Sequence, residues 1–305
     1  MTYTDTYSQP DAPDPILDED VVSALAQRHG VELGSFVELD ETGGEARAYV
    51  GRDVVVKTQR PHRLRPRTSL EKEAFILEEL ARQGVVGVAR VLGYGREGSV
   101  EYEVLSRVSG VALGDAHLED AARRAVLEAL GATLRRIHDV DQSALVASGL
   151  VPGDGDREDL LARLRASFAG LGGVLEGAID VATIEGRCLA SFAELAGEFR
   201  PVTLHSNPGP EHCFVDPVTG DFSGLIDFGD AYRSHRALDL RSWSSLEDSR
   251  AMLAGYADAA PLPEGFLEIW RTGVVVTELR RVARGYATAN DATRAIELLL
   301  SDSGG

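Results

Sequence analysis

Two hydrophobic rhythms divide the chain. Between Phe36 and Val108 the apolar residues come in short runs, Phe36–Leu39, Ala46–Val50, Val54–Lys57, Val88–Tyr94 and Val100–Val108. Gly43-Gly44, Gly51-Arg52-Asp53 and Gly95–Ser99 separate several of them, so the runs predict strands joined by tight turns. Within this stretch the period changes over Thr68–Gln83. Leu70, Ala74, Leu77 and Ala81 recur at three- or four-residue steps there, the spacing of one helix face. Ahead of the strands, Asp18 or Asp20 can cap a helix covering Val21, Val22, Leu25 and Ala26. Beyond Gly110 the helical period takes over. Glu119–Val140 aligns Val126, Leu127, Leu130, Leu134 and Ile137. Asp156–Leu171 and Thr183–Phe199 follow, and helices run again from Ala237 to Leu300. A short β-rich island, Val202 to Phe228, interrupts the helical half. The pattern predicts an α+β chain of two lobes. Residues 16–109 form an N-terminal lobe, a five-stranded antiparallel sheet with a helix packed on it. Residues 110–305 form a mainly helical C-terminal lobe that carries the island as a hairpin. Residues 1–15, polar and holding Pro10, Pro13 and Pro15, read as a flexible arm.

Composition narrows the function classes. The 305-residue chain carries a formal net charge of −18. Nucleic-acid binding asks for a basic face, so this balance argues against it. The acid either keeps the protein soluble or lines a cleft that draws in a cationic ligand. No apolar run approaches the roughly 18 residues of a membrane span. No basic flank followed by an apolar stretch opens the chain. Cys188 and Cys213 make no disulfide pattern. The expectation is a cytoplasmic protein with no membrane or nucleic-acid partner, acting as a monomer or homodimer.

The island holds the densest chemistry. It reads Leu204-His205-Ser206-Asn207-Pro208-Gly209-Pro210-Glu211-His212-Cys213-Phe214-Val215-Asp216, then Leu225-Ile226-Asp227-Phe228-Gly229-Asp230, then Leu238-Asp239-Leu240. This resembles the catalytic segment of the aminoglycoside phosphotransferase superfamily: His-x-Asp, four residues, Asn or His, an apolar strand, Ile-Asp-Phe/Trp, and a later buried Asp before Leu. The resemblance implies a protein-kinase-like fold and transfer of the γ-phosphate of ATP or GTP, with Mg²⁺, to a hydroxyl of a small molecule. Phosphoryl transfer is mostly positioning and charge neutralisation, so few residues carry it. By resemblance, position 207 is the catalytic base and His205 belongs to the same catalytic motif. Asp227 is the main Mg²⁺ ligand, His212 is a second, and Asp239 is structural. A His at 212 looks like the macrolide phosphotransferase branch. Imidazole suits Mg²⁺ less well than oxygen does, so His212 acts directly, through water, or on a softer ion.

The N-terminal lobe supplies the matching parts. Val54-Val55-Val56-Lys57 is an apolar strand ending in Lys, as in the kinase strand whose Lys grips phosphates. Glu73 stands where the family's helix Glu pairs with that Lys, with Glu71 as the alternative. Gly43 and Gly44 are either the loop over the phosphates or a plain hairpin turn. Leu105, Ser106 and Arg107 fall on the hinge, where backbone groups would meet a purine edge. Arg60, Arg63, Arg65 and Arg67 are either triphosphate contacts or a solvated loop. Asp230, Glu247, Asp248 and Glu278 lie where acids of an acceptor site would fall, while His138, Trp243 and Trp270 read as structural. The acceptor implied is cationic, an aminoglycoside or a macrolide.

One residue departs from the family pattern. Position 207 is Asn where the family has Asp. A carboxamide can hydrogen-bond a hydroxyl but cannot take its proton at neutral pH. The substitution is either engineered or natural. If natural, the chain is a slowed kinase or a non-catalytic nucleotide-binding protein. A third reading is a metal hydrolase built on His205, His212 and Asp227, which would leave Lys57 and Glu73 without a task.

Overall fold

The computed structural model describes residues 7–66, 68–190, 192, 199–241, 245–258 and 260–301. Arg67, Trp243 and residues 193–198 of the expected Thr183–Phe199 helix lie outside the described residues. The N-terminal sheet has the five strands the pattern predicts, except that the fourth runs on through Gly95 to Glu97, residues expected in the turn Gly95–Ser99. Strands β1 (Glu38–Asp40), β2 (Ala46–Val50), β3 (Val54–Gln59), β4 (Val91–Glu97) and β5 (Val100–Ser106) pair in the order β1-β2-β3-β5-β4, every pair antiparallel. Alternation along β3 explains its two faces. Val54 and Val56 are buried with Tyr49, Tyr102 and Val104 under helix α1 (Glu19–Gln27), which contributes Val22, Leu25 and Ala26. Val55 and Lys57 point to the opposite face. Helix α2 (Leu70–Arg82) closes that face, started by Ser69, whose hydroxyl accepts from the Lys72 N–H at 3.3 Å.

The C-terminal lobe holds a large continuous core. Helix α3 (Asp120–His138) packs along α7 (Leu246–Asp258). The two helices touch backbone to backbone at a pair of glycines. A Cβ on Gly131 would stand 2.0 Å from the Met252 carbonyl oxygen, and one on Gly255 would stand 1.9 Å from that of Glu128. Side chains at either position would force the helices apart. Between them in sequence come α4 (Ser143–Ala147), α5 (Arg157–Gly172) and α6 (Val181–Ala190), and α8 (Phe266–Ala283) and α9 (Ala289–Ser301) follow. Trp270 is buried in α8 and its indole N–H donates to Leu240 O at 3.1 Å, the structural place expected of it.

The island is larger than its sequence suggests. β6 (Val111–Ala112), β8 (Cys213–Val215) and β9 (Phe222–Leu225) form one small antiparallel sheet. β7 (Val202–Leu204) pairs instead with β10 (Tyr232–Ser234), a strand the hydrophobic pattern does not reveal. This arrangement sets two loops side by side, 205–212 between β7 and β8, and 226–231 between β9 and β10. The opening arm is tied down at its end. Asp14 accepts from Arg47 Nη2 at 2.9 Å and Arg60 Nη2 at 3.0 Å, so this part of the expected flexible arm is anchored.

Candidate active site

Lys57 is one of the points where the sheet half and the helical half meet. Its ammonium lies 2.6 Å from Glu73 Oε2 on α2 and 3.1 Å from Asp227 Oδ1 on the 226–231 loop. Glu73 also receives the Phe228 N–H on Oε1 at 3.2 Å, and Lys72 donates from Nζ to Ala231 O at 2.8 Å. Consecutive residues of α2 therefore hold the Asp227 loop in place. The alternative partner, Glu71, faces Arg96 at 3.2 Å instead. Burial opposes the charge on Lys57, yet Asp227 and Glu73 outweigh it and hold the ammonium well above the usual lysine range. Burial likewise opposes ionisation of Asp227, and Lys57, with His212, overrides it and keeps the carboxylate charged.

The 205–212 loop is built around a buried carboxylate. Asp239, fully buried, accepts from the backbone N–H groups of His205 and Ser206, each at 2.7 Å. It also accepts from His138 Nε2 at 2.9 Å, and His138 Nδ1 meets the Tyr256 hydroxyl at 3.0 Å. Burial opposes charge on Asp239, but these donors pull its ionisation below the ordinary carboxylate range. The bond from Ser206 also holds strained backbone at that residue, and Lys57 holds a second strained residue, Asp227. Ser206 has φ 78° and Asp227 φ 70°, left-handed values that cost non-glycine residues about 1–3 kcal/mol each. Ser206 Oγ adds a bond to Asp230 O at 3.0 Å.

The imidazoles have distinct tasks. His205 is fully buried and donates from Nε2 to Ile226 O at 2.8 Å, while Nδ1 accepts from the Asn207 N–H at 3.3 Å. Burial lowers its basicity to a pKa of about 4. Both ring nitrogens are thus used inside the protein. His205 couples the two loops, with neither ring nitrogen left for another partner. The hydrolase reading built on His205, His212 and Asp227 fails on this point. Among the described residues no group of three or more His, Cys, Asp or Glu side chains gathers in a metal-binding arrangement. His212 donates from Nδ1 to Asn207 O at 2.8 Å, which turns Nε2 towards Asp227 Oδ2 at 3.4 Å. When protonated, His212 pairs with this carboxylate; when neutral, Nε2 is an acceptor, and a cation held by both atoms would take the place of that proton. One carboxylate and one imidazole fit a Mg²⁺ whose other positions are filled by phosphate and water oxygens.

The remaining expected residues divide. Asn207 lies on the loop beside His212, partly exposed. Gly43 and Gly44 form the β1–β2 turn, and the next residue, Glu45, pairs with Arg65, which also reaches Asp230 at 3.1 Å. Arg60 is buried against Asp14. Of the hinge residues, Ser106 N–H donates to Arg90 O at 2.8 Å and Arg107 N–H to Asp53 O at 2.9 Å. Their amides are taken, and the next residue, Val108, is where the strand's pairing stops. Glu278 is buried in α8 against Arg281 at 3.1 Å, Asp248 holds Arg123 at 2.8 Å, and Glu247 is exposed at the start of α7. None of these three makes a contact with the Lys57–Asp227 pair. Sequence reasoning also passed over Glu103, which faces Lys57 across the β3–β5 register. It is fully buried, 3.6 Å from Lys57 Nζ, and neither carboxyl oxygen has a hydrogen-bond partner. Burial, then the charge of Glu73, pushes its acidity well above the ordinary carboxylate range.

A family pattern described as "Phosphotransferase enzyme family" matches residues 39–288, most of the chain. The chain belongs to this phosphotransferase family. Solved structures of the same fold agree. One is a macrolide 2'-phosphotransferase, MphH, from Brachybacterium faecium, 22% identical, covering 94% of this chain and 99% of its own at a TM-score of 0.62. Another is the GDP complex of an aminoglycoside 2'-phosphotransferase-IIIa mutant, 18% identical, covering 88% and 92% at 0.60. A third is the ADP-bound aminoglycoside phosphotransferase APH(2'')-Ib, 16% identical, covering 93% and 97% at 0.56. At these identities the likeness speaks for the protein-kinase-like fold. Comparison with curated proteins finds no match. Among the described residues no helix is long and apolar enough to cross a membrane.

Proposed function

We propose that this family member moves the γ-phosphate of ATP or GTP to a hydroxyl of a cationic small molecule, a macrolide or an aminoglycoside. The observation that carries the reading is the convergence of Lys57, Glu73 and Asp227 across the lobe boundary. In this reading Lys57 holds the donor's phosphate oxygens, kept in line by Glu73. Asp227 and His212 hold Mg²⁺, which when bound neutralises charge on the transferring phosphoryl group. The β1–β2 turn with Gly43 and Gly44 covers the phosphates. The purine edge meets carbonyls of Leu105 to Arg107 and the Val108 N–H, since the Ser106 and Arg107 amides are engaged. Nucleotide in the related structures, GDP in one and ADP in another, supports the donor class.

Asn207 orients the acceptor hydroxyl. It keeps the shape of Asp and lacks its basicity, so transfer is slowed rather than misdirected. A positioned base contributes roughly 10² to 10⁴ in rate. Asn207→Asp should therefore raise transfer to erythromycin or kanamycin by on the order of 10² or more, with nucleotide affinity little changed. A non-catalytic nucleotide-binding role is the second reading, favoured by the same carboxamide. Normal nucleotide binding with no transfer to either acceptor, before or after restoring Asp, would select it.

A further inference from the structure

We infer that Glu211 is the carboxylate that docks the acceptor's cationic group, selecting amino alcohols whose ammonium sits on the carbon next to the one bearing the reacting hydroxyl. This rests on the proposed reading of position 207 as the hydroxyl's seat. Glu211 is exposed on the same loop, and among the described residues it makes no hydrogen bond or ion pair. The other nearby acids are committed. Asp227 answers Lys57, Asp230 answers Arg65, and Asp239 takes its three donors in the core.

Geometry brings Glu211 to the reacting position. A carbon at the Cβ position of Gly209 would lie 2.7 Å from Glu211 Oε2 and 3.4 Å from Asn207 Oδ1. The two oxygens therefore lie no more than about 6 Å apart, and the Glu211 carboxylate packs where a side chain on Gly209 would stand. A hydroxyl and an ammonium on neighbouring carbons stand about 3 to 4 Å apart by ordinary bond lengths. Charge-assisted hydrogen bonds of about 2.8 Å at each end let such a pair reach Asn207 and Glu211 together. The backbone under Glu211 is fixed. Gly209 O accepts from the His212 and Cys213 N–H groups at 3.0 and 3.1 Å, and Pro210 O accepts from the Gly114 N–H at 3.0 Å. Pro208 and Pro210 restrict the loop further. The backbone that carries Glu211 is thus fixed beside residue 207, and its side chain is free to swing onto an acceptor.

The test is steady-state transfer by the full chain carrying Asn207→Asp, with and without Glu211→Gln. Acceptors are erythromycin, kanamycin, and N-acetylated kanamycin as the uncharged counterpart. Glu211→Gln should raise KM for the two cationic acceptors 10- to 100-fold, the loss of one charge-assisted contact. The kcat and nucleotide KM should stay within threefold, and the KM for the uncharged acceptor should not move. Gly209→Ala, whose methyl would displace only the flexible end of Glu211, should shift the same constants in the same direction. Equal shifts for charged and uncharged acceptors, no shift, or a fall in kcat at constant KM would each overturn the inference. If no acceptor is phosphorylated, the proposed function fails, and Glu211 is then judged by calorimetric binding of kanamycin and erythromycin to the Asn207 protein. Weakening of 10-fold or more on Glu211→Gln upholds the docking role; unchanged or absent binding ends it.

Discussion

Replacing Asp239 by Asn should unseat the 205–212 loop. The carboxylate accepts two backbone N–H groups at 2.7 Å and the His138 Nε2–H at 2.9 Å, all within the core. Asn keeps one acceptor oxygen and turns an NH₂ towards donors. At least one buried N–H then loses its partner, and the strained Ser206 loses the bond that holds its left-handed conformation. Breaking a buried, charged hydrogen-bonded group costs about 3–5 kcal/mol. With roughly 2.1 cal/mol/K of unfolding entropy per residue, a chain this long should lose about 5 to 8 °C in Tm. Differential scanning calorimetry at pH 7 measures this, with Glu176→Gln on the exposed surface as a control expected to stay within about 0.5 kcal/mol. A drop under about 2 °C for Asp239→Asn would refute the view that this carboxylate anchors the loop.

Two further outcomes follow from buried titrating groups. Glu103 has its acidity raised on folding, so its ionisation destabilises the fold as pH rises through the unfolded value of about 4.3. Glu103→Gln should therefore melt higher than the parent at pH 7, with the gap closing near pH 4; a lower Tm at pH 7 would show that Glu103 is stabilised there as a charge. Buried His205, with a pKa of about 4, His235, at about 3, and His138, lowered, stay neutral in the fold while the unfolded chain protonates near 6.5. Their stabilising effect is complete above that value and is lost as pH falls towards 4, about 3 kcal/mol for His205 alone. A flat Tm from pH 7 to 4.5 would contradict this.

Much of the fold was legible because its sheet obeys simple alternation. Val54, Val56 and Lys57 sort to two faces by period alone, and Glu73 falls on the α2 turn that meets Lys57. The motif around residue 207 was legible as a motif, since its spacing puts a loop between two apolar runs. What escaped was set by tertiary pairing. β10, Tyr232–Ser234, carries no apolar run and exists because β7 offers it an edge. The engagement of both nitrogens of His205 depends on Ile226, a neighbour only after folding. Glu103 sits in an apolar strand context that hides its charge. Its meaning appears only when the β3–β5 register sets it opposite Lys57. Asp248 is answered by Arg123, a partner the chain order alone does not give, while the Glu278–Arg281 pair, three residues apart on one helix, follows from helical spacing.

The most direct test of the account is calorimetric titration of ATP and GTP, each with Mg²⁺, into the parent chain, Lys57→Ala and Asp227→Ala. The account predicts that the parent binds at least one of the two nucleotides. Lys57→Ala should weaken that binding by about 1.5–3 kcal/mol, and Asp227→Ala should abolish its dependence on Mg²⁺. Equal binding by all three proteins, or a parent that binds neither nucleotide, would contradict it.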